Sequence, residues 1–158
     1  MANTQSMCTS FLGEVLTATH NFGTAPVRAS GAADTFKAAL FLTSATINAG
    51  TTAYSTSGEV SGTGYTAGGV AVTNATAPLA SNSSATAGVA YWTPSASITY
   101  TTVTLTTAFD CVLIYNSTQS DKAVSVHTFG SQTITAGTFT LTMPSNTTST
   151  ALLRLATT

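Results

Sequence analysis

Few side chains in this sequence could perform chemistry. Nucleophilic catalysis needs a base, an acid that orients it and a hydroxyl or thiol, and the only candidate imidazoles are His20 and His127. Paired carboxylates for glycoside hydrolysis would have to come from five acids: Glu14, Asp34, Glu59, Asp110 and Asp121. The histidines and the two cysteines, Cys8 and Cys111, show no paired metal-ligand spacing. We therefore predict no catalytic residue and no metal site. We assign His127 to a surface or interface and Asp110 to hydrogen bonding at the beginning of a strand or at a bulge.

One glycine-rich segment matches a dinucleotide-binding pattern on paper. Residues 62–67, GTGYTA, fit G-x-G-x-x-G/A. The fingerprint also requires a preceding strand, a following helix and an acidic residue about twenty positions later. Here a strand is expected to follow the motif, and no acid lies between Val60 and Phe109. We predict no cofactor. We expect a tight loop in which glycines permit positive φ and Tyr65 acts as an anchor.

Composition excludes several classes of partner. The net charge of −1 leaves no basic footprint for nucleic acid, and no apolar run approaches the ~20 residues that span a bilayer. Charged residues make up only 6 % of the 158, far below the roughly 25 % of ordinary globular domains. Threonine is the commonest residue, at 35 copies, and its β-branched side chain favours strands while its hydroxyl keeps an exposed face hydrated. These features predict a mainly β protein.

The predicted core strand runs from Ser97 to Asn116. Apolar residues first occupy even positions and then odd ones, so a turn or bulge is required near Thr101–Thr102. From Cys111 to Tyr115 both faces are apolar, which is typical of a central strand. Strands recur about every ten residues, which favours a single β-sandwich or jelly-roll-like domain. Further strands are predicted at residues 35–43, 70–76, 87–92, 123–129, 138–143 and 151–155.

The amino-terminal part of the sequence has a different hydrophobic pattern. An apolar stripe at spacings of three and four predicts one helix over residues 6–21, followed by a small-residue link. We divide the chain into an arm of residues 1–34 and a β-sandwich domain of residues 35–158. The helix could pack on its own sheet or dock on a neighbouring subunit.

Four basic residues are too few to guard exposed sheet edges. Either the edges are closed within the fold, or neighbouring subunits cover them, and we favour the second alternative together with a homo-oligomer. The candidate interface residues are Met7, Phe11, Val15, Tyr65 and Trp92. Exposed Tyr65, Tyr91 and Trp92 could alternatively line a saccharide or receptor site on a host surface, or these residues could lie in the core or a subunit interface.

The order of segments resembles a family of small virion proteins of tailed bacteriophages. The resemblance lies in TFKAALFL (35–42), GEVSGTGYTAGG (58–69), AFDCVLIYNST (108–118), KAVSVHTFGSQ (122–132), GTFTLTMP (137–144) and LLRL (152–155). It implies a β-rich decoration (cement) protein of the capsid or a tail component, and it brings no catalytic residues.

These considerations predict a non-enzymatic structural protein. The leading hypothesis is a decoration protein that binds the outside of the major capsid protein lattice, in a virion assembled in the host cytoplasm. The alternatives are a tail or adaptor component that contacts neighbouring tail proteins, a host-surface binding module, and, last, an enzyme acting on cell-wall or capsule polymers.

Overall fold

A computed structural model describes residues 3–16, 18–22, 33–73, 77–81 and 88–156. One helix and eight strands occur within these ranges. In chain order they are β1 (Ser6–Met7), α1 (Thr9–Leu16), β2 (Phe36–Leu42), β3 (Val70–Val72), β4 (Leu79–Ser81), β5 (Val89–Trp92), β6 (Ile98–Asn116), β7 (Lys122–Leu141) and β8 (Leu153–Ala156).

Strands β6 and β7 form a long antiparallel hairpin on which the larger sheet is built. This sheet has the order β1-β7-β6-β2-β3. Strand β6 is central and pairs with β7 on one edge and with β2 on the other. Its last six residues, Cys111 to Asn116, are all buried. Because successive side chains point to opposite faces, both faces of the strand are covered here. The prediction of a core strand covered on both faces is confirmed.

The change of parity in β6 is produced by a bulge at the predicted place. Its register with β7 shifts between Tyr100 and Val103, and Thr102 has a φ of 54°. The extra residue returns Val103 and Leu105 to the face that Ile98 and Tyr100 occupy, so all four are buried. Strand β7 has a comparable irregularity at Ala136, with a φ of 47°.

The smaller sheet has the order β4-β5-β8 and is also antiparallel. Trp92 of β5 pairs with Leu153 of β8, and both side chains are buried in the common core. The Trp92 indole packs against Phe36 of β2 and against Phe22. The predicted class, mainly β and sandwich-like with one short amino-terminal helix, is confirmed.

The helix is shorter than predicted. It covers Thr9–Leu16 instead of residues 6–21, because Ser6 and Met7 pair with Val126 and Ser125 of β7 and because His20 and Asn21 are buried outside the helix.

Within the described residues no helix is long and apolar enough to cross a membrane. The division at residue 34 stays a prediction, although Cys8 and Phe11 belong to the same buried cluster as β6.

Two predicted strands are one. Residues 123–129 and 138–143 were expected to be separate, but β7 continues from Lys122 to Leu141. Irregular pairing between Phe109 and Cys111 of β6 accommodates the GSQ sequence at 130–132 within the strand. The part of the predicted strand at 70–76 that follows Thr73, and residue 87 of the next one, lie outside the described residues.

Candidate functional site

The glycine-rich segment is the close-packed loop that the sequence predicts. Gly64 and Gly69 have φ values of 78° and 71°, in the left-handed region that favours glycine. A Cβ on Gly62 or Gly64 would overlap backbone carbonyl oxygens of β6. The loop therefore lies directly against the backbone of the central strand.

Tyr65 anchors this loop from within. Its hydroxyl donates to Glu59 Oε1 at 2.7 Å and accepts from the Leu40 N–H at 3.0 Å. Glu59 also accepts from the Tyr54 hydroxyl at 2.6 Å and from the Gly68 N–H at 2.8 Å. Burial, reinforced by the Glu59 carboxylate, raises the pKa of Tyr65. The anchor role is confirmed, and the Tyr65 hydroxyl is already engaged inside the fold.

A buried polar network joins the amino-terminal segment to the β6–β7 turn. His20 Nε2 lies 2.7 Å from Glu14 Oε2, and His20 Nδ1 lies 3.0 Å from Asn116 Nδ2. Asn116 Nδ2 also donates to Asp34 Oδ2 at 2.7 Å. Lys122 Nζ completes the network by donating to Glu14 Oε1 at 2.7 Å.

The orientation of the Asn116 amide fixes the tautomer of His20. Asn116 Oδ1 accepts from the Thr118 and Gln119 N–H groups, so its NH₂ must face the imidazole and Nδ1 must be the acceptor. His20 is then neutral with its proton on Nε2, which donates to Glu14. Burial lowers the pKa of His20 against the opposing effect of Glu14.

This network of His20, Glu14, Asn116, Asp34 and Lys122, which we call the latch, is suited to holding the amino-terminal segment on the larger sheet. It is poorly suited to act as a catalytic base. The His20 side chain has 0 % exposure, and both of its nitrogens are occupied. Burial alone would raise the pKa of Glu14, but hydrogen bonds from Lys122 and His20 outweigh it and leave that pKa lowered. The network thus holds an ionised Glu14 between two donors.

His127 lies close to a serine but is a weak base. Its Nε2 is 2.9 Å from Ser125 Oγ, a spacing that nucleophilic catalysis could use. However, burial lowers the pKa of His127 to about 4, and in the part of the chain that the structure describes no hydrogen bond joins it to a carboxylate. The pair therefore lacks both the basicity and the orienting acid of a triad.

The remaining reactive groups have structural surroundings. Asp110 Oδ1 accepts from Asn3 Nδ2 at 2.6 Å, so it fastens the amino-terminal segment at an irregular point of β6, as its predicted hydrogen-bonding role requires. Cys8 and Cys111 are both fully buried, and burial raises their pKa values to about 11 and about 12. Among the described residues no group of three or more His, Cys, Asp or Glu could hold a metal ion.

The feature best suited to binding is an apolar groove between α1 and the smaller sheet. It has a volume of about 200 Å³. All nine residues that line it are apolar or aromatic: Phe11, Val15, Phe22, Pro78, Ala90, Tyr91, Trp92, Leu153 and Leu155. The groove exists because the inner face of the smaller sheet is only partly covered: Trp92 is 2 % exposed, whereas Leu155 on the same face is 37 % exposed.

Three of the five predicted interface residues meet in this groove. Phe11 and Trp92 form its buried floor and Val15 its partly buried wall. Met7 instead lines a separate cleft of about 330 Å³ beside Ser125 and His127, and Tyr65 is in the glycine-rich loop.

The burial of Trp92 agrees with the core alternative for this residue and removes it as an exposed saccharide platform. Sequence reasoning missed Phe22, Leu153 and Leu155 as groove residues. The alternation of leucines in ALLRL places Leu153 and Leu155 on one face and could have identified both.

Comparison with known proteins gives no guide to this surface: no family model, no curated protein and no solved structure matches the chain.

Proposed function

We propose that this chain is a non-enzymatic structural protein of a bacteriophage particle, a decoration protein that binds the outside of the major capsid lattice. The observation that carries the proposal is the apolar groove. Its floor is formed by the buried side chains of Phe11 and Trp92, whereas Leu155 at its rim is exposed to solvent. An apolar surface that the described part of the fold leaves open is typical of a binding surface. The resemblance to small virion proteins supports the particle as its location.

The mechanism of such a protein is stabilisation by mass action. A ligand that binds only the assembled lattice raises the stability of the lattice by RT ln(1 + [L]/Kd). Because the groove contains no charged side chain, the contact relies on apolar burial and should depend little on salt. Binding is preferred over reaction because the network around His20 and the burial of both cysteines leave these groups engaged or inaccessible.

The test combines a count of copies on the particle with a groove variant. Leu155→Asp places a carboxylate at the groove rim, and Leu79→Asp is the matched control, because Leu79 is 45 % exposed but does not line the groove. Burying the exposed third of a leucine contributes roughly 0.5–1 kcal/mol, and a carboxylate in the dry contact costs more. We expect at least about a tenfold loss of particle binding for Leu155→Asp and little change for the control.

Particles that carry copies in the hundreds, with binding lost only in Leu155→Asp, support the proposal. A dozen copies or fewer would assign the protein to the tail. Equal binding by both variants would refute the groove as the contact surface.

A further inference from the structure

The outer edge of β7 is open over a long stretch. Strand β1 pairs with β7 only at Ser125 and Val126. From Phe129 to Leu141 the strand pairs with β6 on its inner side, and within the residues that the structure describes no strand pairs with it on the other side. An edge of this kind presents unpaired N–H and C=O groups that can accept another strand.

This edge lacks the usual chemical protection against pairing. No Asp, Glu, Lys or Arg occurs from residue 123 to residue 153, and the first proline is Pro144, beyond the end of β7. The positive φ at Ala136 interrupts the edge, and Gly137–Leu141 continues as strand beyond it. Natural sheet edges are normally protected from pairing with another strand by lysine, proline or other charges. This segment has none of these, so little prevents another strand from pairing with it.

The same edge carries apolar side chains that the fold covers only in part. Ile134, Phe139 and Leu141 are partly buried against the core, and the Phe139 ring packs on Phe109 and Phe129. On the opposite face Thr138 and Thr140 are exposed, and Thr140 pairs with Thr99 of β6 at 3.4 Å between hydroxyl oxygens. Another strand added at this edge would extend both the apolar face and the threonine face of the sheet.

We propose that Gly137–Leu141 pairs antiparallel with the same segment of a second copy of this chain, around a two-fold axis at Phe139. This register sets Phe139 beside Phe139 of the second copy, and Thr138 beside Thr140 of the second copy. Aromatic pairs and Thr–Thr pairs are both favourable across strands. A neutral strand can face itself without like-charge repulsion, which is why a second copy satisfies this edge.

The strength of the contact follows from its length. Five paired residues exchange about five backbone hydrogen bonds, roughly half the number in a typical interface. We therefore expect a dimer in solution with a Kd in the micromolar range, strengthened when copies are held close together on a particle. The inference concerns the isolated chain and does not require the proposed function.

The first test uses charge. Thr138→Lys with Thr140→Lys places like charges opposite each other twice across the two-fold axis. Thr99→Lys with Thr101→Lys is the matched control, since it adds the same charge to exposed threonines one strand further in. Light scattering should show the native mass rising with concentration from 15.9 kDa towards twice that value. We expect the edge variant to remain at the monomer mass and the control to behave as the native chain.

The second test fixes the register. A mixture of chains with Thr138→Cys and chains with Thr140→Cys should form disulfide-linked heterodimers under mild oxidation, because directly opposite Cβ atoms lie about 4.5–5.5 Å apart. The native Cys8 and Cys111 are fully buried and do not compete. A mixture of Thr99→Cys and Thr101→Cys chains should cross-link at least about tenfold more slowly, as these positions do not face a second copy.

A native chain that stays at 15.9 kDa at about 100 μM, a concentration far above a micromolar Kd, would overturn the inference. A dimer that survives in the edge variant, or equal cross-linking in the two cysteine mixtures, would overturn it as well. Each of these results would leave the groove proposal intact, because the groove variants are measured on particles.

Discussion

Replacing Asn116 by alanine should remove the centre of the buried latch. The Asn116 side chain is fully buried and bonds to His20 Nδ1, to Asp34 Oδ2 and to two N–H groups of the β6–β7 turn. Alanine keeps the backbone of β6 but leaves these four groups without the amide.

The expected loss can be worked out from the burial of each partner. His20 and Asp34 are buried, and each lost bond to a buried group costs about 1–3 kcal/mol. The two turn N–H groups are only partly buried, so water can replace the amide there and each loss is about 0.5 kcal/mol. The sum is about 5 kcal/mol, a large fraction of the 5–15 kcal/mol that stabilises a typical protein.

Urea unfolding at pH 7 measures this difference as a shift of the midpoint with an unchanged m-value. Gln132→Ala is the control, because the Gln132 side chain is exposed and, among the residues that the structure describes, its amide bonds only to the Gly130 carbonyl. That change should stay within about 0.5 kcal/mol. A loss of less than about 1 kcal/mol in Asn116→Ala would refute the view that the latch couples the amino-terminal segment to the sheet.

Two further predictions concern pH and backbone conformation. His127 has a pKa lowered by burial to about 4, so the folded state binds fewer protons than the unfolded state below about pH 6.5. Stability should therefore fall by about 2 kcal/mol more between pH 7 and pH 5 in the native chain than in His127→Gln, and equal losses in urea titrations would contradict this. Gly69→Ala combines a φ of 71° with overlap on the Ala38 carbonyl and should cost more than about 2 kcal/mol, whereas Gly130→Ala meets open space and should be nearly neutral in thermal unfolding.

Local patterns in the sequence were sufficient to predict the central strand and its bulge. The side-chain period of a strand is two, so a change of parity between Tyr100 and Val103 can only be absorbed by an extra residue. The glycine-rich loop was predictable for a similar reason, because a strand rather than a helix follows it.

The latch and the groove were beyond local reasoning. The bonds of Asn116 to His20 and Asp34 span 96 and 82 residues of sequence, and no spacing rule relates such positions. The helix was predicted too long because it was extended as far as the small-residue link, although the apolar spacings of three and four stop at Leu16, the last residue of α1. Ser6 and Met7 could be recognised as strand residues only once Val126 and Ser125 of β7 were in place.

The short turn between β6 and β7 has a consequence for the order in which the chain folds. These two strands are joined by residues 117–121 only. The first residue pairs of the hairpin therefore close a very small loop, which costs little conformational entropy. The remaining pairs can then form one after another, moving away from the turn. Strand β2, by contrast, must search for β6 across about seventy intervening residues. We expect the hairpin to be the template that exists first, with β2 and the amino-terminal latch added to it late in folding.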